Sequence, residues 1–285
     1  MKLLFKNKKK YKDLENLSLG SIGKLKIEED LVPQGINYVE PFILISCYST
    51  EKRKSRVLFF DENSILCKEI ELENRSHVGG ISYDKIHNLL WICNSKGRIS
   101  SYKYHEFLNG DLSSKKDFLV ADNSLGGGFL IEEEKFVCSY LTYFDNKVYV
   151  GSFNKKKNGL VKVFDVIRES TGIELKYRSE FNVPEKIQGL TFYKQNKETY
   201  MLLSKSYTRI KDSSIFIYKY IENKNDYTEK SCSLTLPPML EQIALIEENI
   251  ILLFESFAKK YSYNAKVVID DIFVLNTQKI LEKFF

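Results

Sequence analysis

The side chains best suited to chemistry are two carboxylates and one arginine in the C-terminal half of the chain. Glu241 and Glu255 form a candidate carboxylate pair for general acid–base catalysis. Arg209 has the planar, two-pronged donor geometry that holds a carboxylate or a phosphate. The simpler alternative is an ion pair between Arg209 and Glu255. A nucleophilic triad cannot be assigned, because sequence spacing does not encode one.

Further candidate ligand-binding residues share one property, since each lies at the start or just beyond the end of an apolar, strand-like run. They are Gln34, His77, Gln188, Lys205, Gln242 and Tyr261. Polar groups that converge on a concave pocket are typical of small-molecule sites. The competing interpretation is structural, because a glutamine beside a glycine can bond the backbone of a neighbouring strand. For His77, a structural role with satisfied hydrogen bonds is favoured over a role as a ligand-binding residue or a general base.

The sequence gives no pattern typical of a metal or cofactor site. Its three histidines are scattered, and its five cysteines have no C-x-x-C spacing. The run Gly126-Gly127-Gly128 is followed by no Lys-Ser/Thr pair, so it is not a phosphate loop. We therefore expect no metal and no cofactor, and we interpret the glycine run as a crossing between repeats.

The candidate residues are positioned by a short phrase that recurs five times. Each copy has two small or polar residues, an aliphatic residue, a small or polar residue, and then an aromatic or aliphatic one. The copies are 34–38, 79–83, 139–143, 188–192 and 241–245, with aliphatic anchors 45, 60, 49 and 53 residues apart. Repeats of this period indicate a solenoid, a propeller or an array.

Three more strand-like runs follow most copies of the phrase, and they become more polar toward the last. Four antiparallel strands repeated at this period describe a propeller blade. We predict an all-β, five-bladed β-propeller with four-stranded antiparallel blades. The alternative is a six-bladed ring with an irregular first blade from residues 13–31.

The chain is expected to hold one propeller domain, residues 23–285, after a basic and partly flexible N-terminal segment, residues 1–22. The outer strand of the last blade comes either from residues 23–28 or from residues 279–285. The first arrangement is favoured, because pairing with the N-terminal segment removes an exposed sheet edge.

Charge and hydropathy exclude several classes of protein. The net charge is +5, from 43 basic and 38 acidic residues that interleave along the chain, so we expect no nucleic-acid partner. No apolar run approaches the roughly 20 residues that span a bilayer, and the N-terminus lacks a secretory signal. We expect a monomer. We also expect it to be cytoplasmic, because the odd number of cysteines and their mostly apolar surroundings favour a reducing compartment.

The pattern as a whole resembles β-propeller repeat proteins, without the Trp-Asp and Gly-His signatures of the WD40 type. Pro33-Gln34-Gly35-Ile36, followed by a strand with a polar end, is similar to the opening blade of plant-type glutaminyl cyclases, which are five-bladed. The likeness covers about one blade. The only tryptophan, Trp91, lies in an apolar run and not in that family's Glu-Gly-Trp-Gly segment. The resemblance therefore implies a fold, and no catalytic residue is carried over.

Three functions fit these patterns. The first, which we prefer because no catalytic constellation is recognisable, is a propeller that binds a small molecule or a peptide in a polar axial pocket. The second is a hydrolase, lyase, acyltransferase or cyclotransferase, with Glu241, Glu255 or His77 as acid or base. The third is a platform for protein–protein interaction, with exposed aromatic residues such as Tyr261 and Tyr263 as anchors.

Overall fold

The structure is a computed structural model that describes residues 10–121, 136–170, 172–229 and 231–285. The predicted glycine crossing at 126–128 and most of the N-terminal basic run lie outside these ranges. The described residues form five sheets, each of four antiparallel strands. The predicted five-bladed propeller is therefore confirmed, and the six-bladed alternative is wrong.

Four of the blades follow the chain in order from the inner to the outer strand. Blade 1 contains β2 (Leu31–Val39), β3 (Phe42–Ser49), β4 (Arg56–Phe60) and β5 (Leu66–Glu71). Blade 2 contains β6 (Ile81–Asp84), β7 (Leu89–Cys93), β8 (Arg98–Lys103) and β9 (Lys116–Leu119). Blade 3 contains β10 (Tyr140–Phe144), β11 (Lys147–Ser152), β12 (Gly159–Glu169) and β13 (Gly172–Val183). Blade 4 contains β14 (Ile187–Gln195), β15 (Glu198–Lys205), β16 (Ser213–Lys219) and β17 (Cys232–Leu236).

Blade 5 joins the two ends of the propeller. It contains β18 (Leu240–Ile246), β19 (Asn249–Phe254) and β20 (Asp271–Leu275), and its outermost strand is β1 (Ser18–Lys24). Ser18 pairs with Leu275, and Lys24 pairs with Asp271. The N-terminal segment thus closes the last blade, with a strand that begins before the predicted stretch 23–28.

The shift of β1 has a packing reason. Leu25 and Ile27, which gave the predicted stretch its strand character, do not belong to the strand. Leu25 is buried, and both residues pack in the cluster between blades 1 and 5. The competing segment 279–285 is mostly helical: α4 (Thr277–Phe284) begins after Asn276, whose side chain accepts a hydrogen bond from the Lys279 N–H.

The hydrophobic core lies between neighbouring blades. The innermost strands β2, β6, β10, β14 and β18 contact one another in this cyclic order. Between blades 1 and 5, for example, Ile36 and Ile45 share a buried cluster with Ile251 and Leu253. Burial of both faces explains why these strands are nearly continuously apolar in sequence.

Three short helices complete the described structure: α1 (Lys12–Leu17), α2 (Tyr104–Leu108) and α3 (Lys259–Ser262). Helix α1 places Leu14 and Leu17 in the buried cluster formed by blades 4 and 5. Within the described ranges, no helix has the length and apolar character needed to cross a bilayer.

Candidate functional site

One face of the ring gathers most of the predicted site residues. Strands β2 and β3 are antiparallel, with Leu31 opposite Ser49, so the start of the first lies beside the end of the second. The other blades repeat this geometry, for example where Ile187 of β14 pairs with Lys205 of β15. We call this the upper face. Its centre, called the mouth, is formed by Gln34, Tyr48, His77, Gln188, Glu241 and Glu255.

The deepest feature of the mouth is the pair Glu241 and Glu255, which share a hydrogen bond between their carboxyl groups. Glu241 is buried in β18, whereas Glu255 directly follows β19 and is half-buried. Loss of water raises the pKa of the Glu255 carboxyl to about 7 and that of Glu241 well above its usual range. The pair therefore keeps at least one proton at neutral pH.

Two glutamine amides hold this carboxyl pair from neighbouring blades. The Nε2 of Gln34 donates to Glu255 Oε2 at 2.9 Å and to the carbonyl of Pro33 at 2.8 Å. The Nε2 of Gln188 donates to Glu241 Oε1 at 3.3 Å. Blades 1, 4 and 5 thus contribute side chains to one hydrogen-bonded group.

Two cations lie beside the carboxyl pair and are held by tyrosines. Lys260 and Arg209 act on Glu255 through their charges, which lower its pKa against the effect of burial. The Arg209 guanidinium lies over the Tyr261 ring at 5.0 Å, and the Lys260 ammonium lies 5.1 Å from the Tyr48 ring centre. Within the described ranges, Arg209 and Glu255 form no close ion pair, and the arginine acts on the carboxyl group only through its charge.

Aromatic stacking connects His77 to this group. The His77 ring stacks on Tyr48 with centroids 4.5 Å apart and planes at 28°. The Tyr48 and Tyr261 hydroxyls are 3.2 Å apart, and the Lys260 ammonium donates to the Tyr48 hydroxyl at 2.8 Å. Desolvation and the Lys260 charge lower the pKa of His77 to about 4. His77 is exposed at the edge of the mouth, and the lowered pKa favours a neutral imidazole at pH 7.

Gln242, also predicted as a ligand-binding residue, lies across the propeller axis and bonds the backbone. Its Oε1 accepts from the N–H groups of Ile36 and Ile81 at 3.1 and 3.0 Å. Its Nε2 donates to the carbonyls of Ile81 and Leu141 at 2.9 and 3.1 Å. Both donors and both acceptor positions of the amide are occupied, so the arrangement favours a structural role for Gln242.

Lys205 is directed to a different group from the mouth residues. Its ammonium lies 3.6 Å from Glu185 and 5.4 Å from the centre of the Phe216 ring. Conversely, Tyr48 and Lys260 contact the predicted site residues, although neither was selected as a ligand-binding candidate. The available signal was their position, because Tyr48 lies at the end of β3 and Lys260 follows the equivalent end of β19.

The mouth offers chemistry for binding and for proton transfer. A carboxyl pair that keeps a proton can both donate and accept hydrogen bonds, and the adjacent cations can neutralise an anionic group. In the part of the chain that the structure describes, no three His, Cys, Asp or Glu side chains are grouped as a metal site would require.

Comparison with family models gives no match, and comparison with curated proteins gives none either. Among solved structures, the chain is similar to the WD40 repeats of RRP9, at 11% identity over 82% of this chain and 76% of that one, with a TM-score of 0.47. It is also similar to Raptor of Chaetomium thermophilum, at 10% identity over 85% of this chain, with a TM-score of 0.39. The chain spans only 18% of that Raptor chain. Neither similarity bears on function.

Proposed function

We propose that the protein is a binding propeller whose mouth holds a small ligand with an anionic group beside a hydrogen-bond donor. An amino acid or the free end of a peptide has this combination. The observation that carries the proposal is the Glu241–Glu255 pair, which is held by glutamine amides from two other blades. Such a cross-blade arrangement places polar groups from distant parts of the chain around one point.

The donor group of the ligand is matched by the carboxyl pair. When Glu255 ionises, the pair keeps one proton and presents one negative charge with several acceptor positions. An ammonium or amide N–H would gain a charge-assisted hydrogen bond there, which is stronger than a neutral one. Ionisation of Glu255 near pH 7 would strengthen the binding of an ammonium.

The anionic group of the ligand is matched by Arg209 and Lys260. Their side chains already lie on tyrosine rings, so less conformational freedom is lost when an anion binds. A guanidinium can hold a carboxylate through two parallel hydrogen bonds. A ligand that spans the cations and the carboxyl pair would therefore be oriented as well as bound.

A thermal-shift screen with amino acids and dipeptides tests this proposal directly. Binding should raise the melting temperature of the wild type. The variants Arg209→Ala and Gln188→Ala should keep the unliganded melting temperature nearly unchanged and lose the ligand-induced shift. Arg168→Ala, at an exposed arginine near the end of β12 that lies away from the upper face, is the matched control. A shift that survives both mouth variants, or their global unfolding, would contradict the proposal.

A second candidate function is an enzyme that uses the same pair as acid and base. The pKa of about 7 for Glu255 favours it, because a proton-transfer group works best near the operating pH. Incubation of each bound compound with the protein, followed by mass spectrometry, separates the two functions. An enzyme would convert the compound, and Glu255→Gln would retain binding while it abolishes conversion. A binding protein would return the compound unchanged.

A further inference from the structure

Outside the mouth, the upper face is basic over three neighbouring blades. The loops that follow β11, β15 and β19 are residues 153–158, 206–212 and 255–270. They carry eight basic residues and three acidic ones. Of the acidic residues, Glu255 belongs to the mouth, Asp212 pairs with Lys266 and Asp270 pairs with Lys24. The interleaved charges of the whole sequence conceal this excess of basic residues, because the folded ring brings the three loops to one face. A surface with an excess of one charge sign favours partners of the opposite sign.

The loops of blades 4 and 5 also expose apolar side chains beside these cations. The exposed fractions are 65% for Ile210, 77% for Tyr263 and 48% for Val268. Single exposed apolar residues are ordinary, but a group of them surrounded by charges is typical of an interaction site.

Two contacts join these loops into one surface. The Lys266 N–H donates to the Arg209 carbonyl at 2.9 Å. The Arg209 guanidinium lies between the two loops as well, with its carbon 6.0 Å from the Tyr263 ring centre. We call the surface formed by Ile210, Lys211, Tyr263, Lys266 and Val268 the loop patch. The loop patch thus combines exposed apolar side chains with two lysines, of which Lys266 also lies 3.3 Å from Asp212.

We propose that the loop patch docks an acidic segment of a partner polypeptide. Carboxylates of the segment would pair with the lysines, and its apolar side chains would pack on Tyr263, Ile210 and Val268. Charge complementarity and the aliphatic side chains together select this occupant. A sugar–phosphate backbone would use the cations, but it has no apolar side chain to bury against Ile210 and Val268.

The loop patch and the mouth are tested independently because they use different side chains. The probe is a short fluorescent peptide rich in glutamate with two phenylalanines and with both ends blocked, so that the mouth has no free peptide end to bind. Its binding is measured by fluorescence polarisation. A control peptide carries lysine at each glutamate position. We expect the acidic peptide to bind at low salt, more weakly at physiological salt, and the lysine peptide not to bind.

Two variants assign the binding to the loop patch. Lys211→Glu should weaken binding roughly tenfold by reversing a charge, and the double variant Tyr263→Ser, Val268→Ser should weaken it by a similar factor. The matched controls are Lys197→Glu and Ile65→Ser, at exposed positions outside the patch, and both should bind as the wild type does. Gln188→Ala, which disables only the mouth, should also leave peptide binding unchanged.

Several outcomes would overturn the proposal. They are no binding of the acidic peptide at low salt, equal binding by both patch variants and the wild type, or tighter binding of single-stranded oligothymidine that the patch variants abolish. The last result would assign the surface to nucleic acid. Because the substituted side chains are exposed, we expect the variants to fold, and circular dichroism checks this. If the double variant unfolds, the Lys211→Glu measurement alone decides.

Discussion

Burial determines the behaviour of the two acidic side chains at the centre of the mouth. Glu241 and Glu255 have the same chemistry as the exposed glutamates Glu247 and Glu248 in the same blade. Removal from water raises the pKa of both mouth carboxyl groups, and the proximity of Glu255 raises that of Glu241 further. Ionisation of a carboxyl group in these surroundings reduces the stability of the folded protein. Because groups with strongly shifted pKa values cluster at functional sites, this cost favours a functional role for the mouth.

Because ionised Glu255 destabilises the folded protein, we expect the variant Glu255→Gln to be more stable than the wild type at high pH. The pKa of this carboxyl is raised from 4.5 to about 7 on folding, so above pH 4.5 the unfolded chain binds fewer protons than the folded one. Wild-type stability therefore falls between pH 4.5 and 7 relative to the variant. The gain above pH 7 should be about 1–3 kcal/mol, reduced from the full shift because Glu255 is partly exposed.

Urea denaturation of both proteins at pH 5 and pH 8 measures this difference. The lowered pKa of His77 acts in the opposite direction at acidic pH, but it is present in both proteins and largely cancels. Glu248→Gln, at an exposed glutamate of the same blade, is the matched control for loss of a carboxyl group. A gain that is equal at both pH values would argue against a raised pKa.

The sequence allowed several site residues to be predicted, because repeat position places Gln34, Gln188 and Glu241 at the same level of three blades. It did not predict the partners of Tyr48, since its contacts with His77 and Tyr261 join three blades. Side-chain contacts across blades depend on loop conformations, and the pattern of apolar residues does not encode those conformations.

At the scale of elements, helix α1 packs on blades 4 and 5, and strand β1, which follows it, completes blade 5. Leu14 of α1 is 1% exposed and lies in the cluster that also contains Leu234 and Ile269. Leu19 of β1, five residues later, is 55% exposed. The two leucines thus provide a matched pair within one short segment.

Leu14→Ala should reduce the free energy of unfolding by about 2–4 kcal/mol, because it removes a buried side chain and leaves a cavity. Leu19→Ala should change it by less than about 0.5 kcal/mol. The midpoints of urea denaturation compare them. Equal effects would mean that α1 does not pack on the propeller in solution.

Element types were predictable where the apolar pattern is long, and less so near the ends of the chain. Residues 279–285 are a short run with Ile280, Leu281 and Phe284, which fits a strand or a helix. The Asn276 cap and the burial of Ile280 and Leu281 against the propeller make most of it helical. Tertiary packing determines that this run is a helix and not a strand, and the periodicity of the sequence carries no information about that packing.

At the scale of the whole molecule, Gln242 links blade 5 to blades 1, 2 and 3. Its hydrogen-bond partners are 206, 161 and 101 residues away in sequence. The repeat period predicted the number of blades, because each blade is a local unit. The repeat could not predict the contacts of Gln242 across the propeller axis, because nothing in the repeated phrase distinguishes its position from the equivalent positions of the other blades.

Gln242→Leu should be strongly destabilising. It leaves two backbone N–H groups and two carbonyls without their partner in a buried position, which we expect to cost about 3–5 kcal/mol in total. Gln188→Leu is the control, since that half-buried side chain bonds Glu241 and no backbone group in the contacts described above. Thermal denaturation compares the two variants, and a similar melting temperature for both would refute the structural role of Gln242.

The pairing of Ser18 with Leu275 has a consequence for synthesis on the ribosome. Strand β1 emerges first but must wait until β20 has left the exit tunnel, whereas blades 1 to 4 can assemble from strands already released. The nascent chain therefore carries an unpaired edge segment through almost the whole of translation. Chaperones that shield such edges would matter most for this segment, and faster elongation would shorten its exposure.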